Sequence, residues 1–71
     1  MVDDDEILKK HSVVIAGHQT SITLENIFWR QLKQIAKDQN KNLKSLISEI
    51  DETRHTNLSS AIRVYILKKL V

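Results

Sequence analysis

The chain has no cysteine, no proline and a single glycine, Gly17. Without cysteine there is no disulfide, and a zinc site would have to come from His11, His18, His55 and carboxylates, which show no ligand spacing. One glycine excludes a glycine-rich loop that cradles phosphates. No apolar run approaches the roughly 18–20 residues of a membrane span, and the acidic start is unlike a signal peptide. No nucleophile stands in a recognisable arrangement with a base and an oxyanion donor. These absences predict a soluble, cytoplasmic binding protein rather than an enzyme, with no cofactor and no metal.

What is present is 71 residues, enough for one domain. A chain of this size buries only about 60% of the surface its unfolded form exposes, so its core needs support. With disulfides excluded, oligomerisation is the expected source. Four of the nine acidic residues are Asp3, Asp4, Asp5 and Glu6; the rest of the chain has eleven basic and five acidic residues, an excess of six positive charges. That imbalance points to a polyanionic partner, although a charged surface is more often merely solvated. The "DDDE" run lacks the preorganised cage of a metal site.

Residues 1–10 lack periodicity and read as a flexible acidic leader, leaving 11–71 as the folded domain. "SVVIAG" is rich in β-branched residues and reads as a strand. In "QTSITL", Thr20, Ile22 and Leu24 share one face while Gln19, Ser21 and Thr23 share the other. A type II′ turn at Gly17-His18, or a bulge at Gly17, would bring Val13 and Ile15 onto the apolar face.

From Glu25 the period becomes helical. Phe28, Leu32, Ile35, Ala36 and Gln39 form one stripe with Trp29 beside it, while Arg30, Lys33 and Lys37 turn outward. "QNKN" should end this helix, with Asn40 in the left-handed conformation and Asn42 capping the next. The second helix carries Leu43, Leu46, Ile47 and Ile50 on one side and ends near Arg54. Asn57, with Ser59 and Ser60, caps and starts a third helix reaching about Leu70. Its apolar residues, Ile62 and Tyr65 among them, spread around most of the circumference, which calls for a second covering surface.

A lone short strand leaves edge groups unpaired, and an isolated hairpin is marginally stable. Pairing with the same strand of a second copy would satisfy the edge and display Gln19, Ser21 and Thr23 twice. From pattern alone, that polar face reads more readily as the solvated side of an amphipathic strand.

The run "TSITL", the first helix, the "NKN" turn and the second helix together resemble the ribbon-helix-helix superfamily of the Arc and MetJ type. More narrowly, "VVIAGHQTSITLE", "FW", "LISEID" and "NLSSAIR" are similar to a bacterial group with an extra carboxy-terminal helix, over residues 11 to 70. The resemblance implies a mainly α fold with a short amino-terminal β-ribbon, as an intertwined homodimer with intermolecular antiparallel strands. It implies a transcriptional repressor whose ribbon enters the major groove of double-stranded DNA. Gln19, Ser21 and Thr23 would then read base edges, and Asn42, Leu43 and Lys44 would hold a backbone phosphate. Ile22, Leu24, Phe28, Trp29, Leu32, Leu46, Ile47, Ile50, Ile62 and Tyr65 would form the core and dimer packing. Two departures stand out: the group often has a basic residue where Gln19 stands, and a proline where Asn26 stands. The alternative is an antitoxin-like or other protein-interaction dimer; no toxin-binding segment is read after Val71.

Overall fold

A computed structural model describes residues 3–71. A short 3₁₀ turn (Asp4–Glu6) leads into strands β1 (Leu8–Ile15) and β2 (His18–Glu25), followed by helices α1 (Asn26–Asp38), α2 (Leu43–Thr53) and α3 (Leu58–Leu70). This is the expected order: a two-stranded ribbon, then three helices. The strands pair antiparallel from Ile15↔His18 to Leu8↔Glu25. β2 therefore finds a partner within its own chain.

The hairpin turn lies one residue earlier than the predicted Gly17-His18. Ala16 (φ 50°) and Gly17 (φ 80°) are its two central residues, and positive φ at both is the type I′ pattern, whose twist matches that of paired strands. Holding Ala16 there costs about 1 kcal/mol. The shift slides β1 by two places, so that His11 rather than Val13 lies opposite Ile22. A slide of two preserves which side chains face inward, and so the predicted faces survive the change of register.

Pairing also reaches back to Leu8, so Leu8–Lys10 belong to β1, although the sequence reading placed them in the leader. Ahead of them, the acidic turn is closed by Asp3 Oδ1, which accepts from the Asp5 N–H at 3.0 Å. It is tied to α1: Asn26 Nδ2 donates to the Asp4 carbonyl (3.0 Å) and Asp4 Oδ1 (3.2 Å), and Arg30 pairs with Asp4 (3.0 Å) and Asp5. The Asn26 N–H donates to Ile7 O at 2.9 Å. A proline at this position would have no N–H to give. Residues 1 and 2 of the expected leader lie outside the described residues.

The helix ends follow local chemistry. Asn40 (φ 55°) terminates α1, with Lys41 N–H donating to Ala36 O (2.9 Å) and Asn40 N–H to Lys37 O (3.1 Å), the reciprocal pair of a Schellman ending. Asn42 Oδ1 caps α2 by accepting from Ser45 N–H at 2.7 Å, and Asn57 Oδ1 caps α3 through Ser60 N–H at 2.8 Å.

Ile22, Leu24, Leu32, Leu46, Ile47, Ile50 and Ile62 are buried together with Ile15, Ile35, Ala36 and Ile66. Phe28, Trp29 and Tyr65 pack half-buried against that cluster. Helix α3 buries Ile62 and Ile66 but leaves Val64 and Leu67 50% and 61% exposed, so one side of it has no cover among the described residues. Among the described residues, no helix is long and apolar enough to cross a membrane.

Candidate nucleic-acid interface

The outer face of the hairpin is fixed by the ladder. Residues directly opposite share a face, so Gln19, Ser21 and Thr23 lie beside Val14, Ser12 and Lys10 respectively. Gln19 and Ser21 are exposed and Thr23 is half-buried. The structure thus brings the three expected reading residues together and adds two polar neighbours from β1, Lys10 and Ser12. Lys10 escaped the sequence reading because "LKKHS" is polar enough to resemble leader. The available signal was parity, since Leu8, Lys10, Ser12 and Val14 continue one face of the strand.

The start of α2 stands next to β1. Leu43 and Lys44 line one groove with Lys10, Ser12, Val14 and Trp29. The Asn42 cap takes the Ser45 N–H, and the Leu46 N–H returns to Asn42 O at 3.2 Å. The first-turn N–H groups of Leu43 and Lys44 thus remain without an intrahelical acceptor, as at any helix start. Lys44 is exposed and makes no ion pair among the described residues; neither do Lys9, Lys10 and Lys33. Lys41, by contrast, is engaged with Glu49 at 2.8 Å. Free cations and free N–H groups beside a polar ribbon form a surface suited to phosphate oxygens.

Three side chains have roles that the sequence did not disclose. His11 stacks on Trp29 and joins the ribbon to α1. Ser59, read as part of the α3 start, accepts from the Thr23 N–H at 3.2 Å, while Ser60 contributes only its backbone to the cap. Arg63 Nε donates to Glu25 Oε1 at 3.0 Å. The Glu25 carboxyl is held below its ordinary range by its own backbone N–H and then by Arg63. His18 is exposed at the first position of β2 and pairs with Ile15. No cluster of three potential metal ligands occurs among the described residues.

A family model for the ribbon-helix-helix domain matches residues 8–70. Among solved structures, an uncharacterized protein from Bordetella pertussis Tohama I is similar, with a TM-score of 0.81 and 25% sequence identity. The match covers 94% of this chain and 58% of that one, so the chain spans little more than half of its neighbour's length.

Proposed function

The chain belongs to the ribbon-helix-helix family, whose members are generally DNA-binding transcription regulators or antitoxins, and from that premise we propose that it is a sequence-specific DNA-binding protein acting as a transcriptional repressor. The observation that carries this reading is the adjacency of two surfaces: the polar outer face of the hairpin and the open amino terminus of α2 with Lys44. A two-stranded ribbon fits a major groove about 12 Å wide.

In this reading the Gln19 amide addresses adenine, while Ser21 and Thr23 donate or accept at neighbouring bases. Leu43 and Lys44 N–H groups and the Lys44 ammonium hold a phosphate at the groove wall, with Asn42 fixing the helix start. Lys10 adds charge from β1. Mechanistically the protein binds and occludes; no bond is made or broken. The body's excess of positive charge favours the same partner. Two copies act together as a homodimer, a reading supported by the uncovered Val64 and Leu67 of α3.

Binding-site selection from fragmented genomic DNA tests this proposal. The expected result is a recurrent short motif whose recovery declines as salt rises. Recovery of random fragments alone, with a stoichiometric protein co-purifying instead, would favour the antitoxin-like alternative.

A further inference from the structure

We infer that the free edge of β1 is a docking site for an extended acidic segment of a partner protein, which adds to the hairpin as a further strand in the groove beside α2. Opposed residues of an antiparallel pair alternate between exchanging both ladder bonds and turning their N–H and C=O groups away from each other. Both ends of the hairpin fix that alternation here. At one end the Asn26 N–H donates to Ile7 O at 2.9 Å, and at the other the two-residue turn makes Ile15 and His18 a hydrogen-bonded pair. Lys9, His11, Val13 and Ile15 therefore bond to β2, while Lys10, Ser12 and Val14 aim their main-chain groups at the free edge. No other backbone group among the described residues bonds to that edge.

An unpaired edge is a template for another strand. Strand addition draws affinity from such main-chain groups and selectivity from the pockets beside them. Both are present: Lys10, Ser12 and Val14 line a groove of ≈ 620 Å³ together with Trp29, Leu43 and Lys44. Trp29 and Leu43 are half-buried against the core, so the surface they leave open is an apolar footing for an occupant.

Charge selects the occupant. Lys10 and Lys44 are exposed, make no ion pair among the described residues, and share the groove with no acidic side chain. A second copy of β1 would bring further lysines and no carboxylate, since Leu8–Ile15 contains none. An acidic segment offsets them. Because strand side chains alternate, such a segment presents carboxylates on the outer face to Lys10 and Lys44 and apolar groups to Trp29 and Leu43. Lys44 and the start of α2 are also the phosphate site proposed above, so segment and duplex exclude each other and the partner relieves repression. That competition rests on the DNA-binding reading; strand addition does not.

Fluorescence anisotropy of the full chain with a short labelled peptide of alternating glutamate and valine tests the docking. Saturable binding is expected, weakened about tenfold by methylating the peptide's backbone amides and about fivefold by Ser12→Pro, which removes one outward donor. The Ser12 N–H faces away from β2, so proline there spares the hairpin ladder. Should Ser12→Pro fail to fold, the methylated peptide decides alone. Absence of binding, or equal binding of the methylated peptide or of a lysine–valine peptide, overturns the docking. Self-association of the chain that Ser12→Pro abolishes would give the edge to a second copy and overturn it too. Added peptide should release a selected duplex from the wild type, and a ternary complex overturns the competition. If the chain binds no DNA, the functional reading and the competition fail together, and the peptide measurements still decide the docking.

Discussion

His11 lies flat on Trp29, with ring centroids 3.7 Å apart and planes inclined by 7°. The stack joins β1 to the first turn of α1, and it leaves His11 Nε2 buried without a hydrogen-bond partner. Burial pushes the imidazole below its ordinary 6.5, and the charges of Lys9 and Lys33 push the same way. The unfolded chain therefore takes up this proton near pH 6.5, while the folded chain resists it until lower pH. Stability from this source is complete above pH 6.5 and declines as pH falls below that value toward the folded one. Thermal unfolding between pH 7 and 5 should show a steeper loss in wild type than in His11→Phe. Parallel curves for the two proteins would rule out His11 as the sensor.

The turn offers a second test, in the opposite direction. Ala16 occupies a left-handed position that asparagine tolerates better, and Asn-Gly is the preferred pair for a type I′ turn. Ala16→Asn should stabilise the fold by about 1 kcal/mol, raising Tm by roughly 4–8 °C in a domain of this size. Gly17→Ala meets no atom within 4 Å, so its penalty is conformational alone, about 1–2 kcal/mol from its positive φ. Calorimetry that finds both variants neutral would contradict the assigned turn.

Much of this architecture was legible because the relevant chemistry is local. Asn40, Asn42 and Asn57 mark helix ends through contacts spanning only a few residues, and the stripes of α1 and α2 follow from helical period. The inward and outward faces of β2 were legible for a different reason: every register differing by two residues gives the same faces. The register itself was not, because glycine permits either turn. Nor could the sequence disclose the grip of Ser59 and Arg63 on β2, or the contact of His11 with Trp29. These bonds cross 36, 40 and 18 positions and leave no periodic trace. Leu8–Lys10 read as leader because two lysines mask the alternation that continues β1.

At the start of α2, cap and clamp can be separated. Asn42→Ala should cost about 1 kcal/mol of stability through loss of the bond to Ser45 N–H. Lys44→Ala should leave Tm nearly unchanged, since the side chain is exposed and unpaired among the described residues. In DNA titrations it should make the slope of log affinity against log salt shallower by about one unit per clamp. An unaltered slope would remove Lys44 from the phosphate contact.

Asn26 explains why a proline is not needed to open α1 here. Its backbone holds Ile7 and its side chain holds Asp4, so Asn26→Ala should cost roughly 1–2 kcal/mol, chiefly through the Asp4 carbonyl left without its donor. Arg30→Ala, which removes only the exposed pairs with Asp4 and Asp5, should cost well under 1 kcal/mol. Urea unfolding of both variants measures the difference, and equal losses would mean that the exposed ion pair, rather than Asn26, holds the acidic turn.

Fluorescence anisotropy with a selected duplex and a scrambled one of equal length, comparing wild type with Gln19→Ala and Ser21→Ala, addresses the outer face of the ribbon itself. The predicted result is unchanged affinity for the scrambled duplex and a loss of about 1–3 kcal/mol of discrimination in each variant. If both variants keep the full wild-type discrimination, the hairpin face does not read DNA.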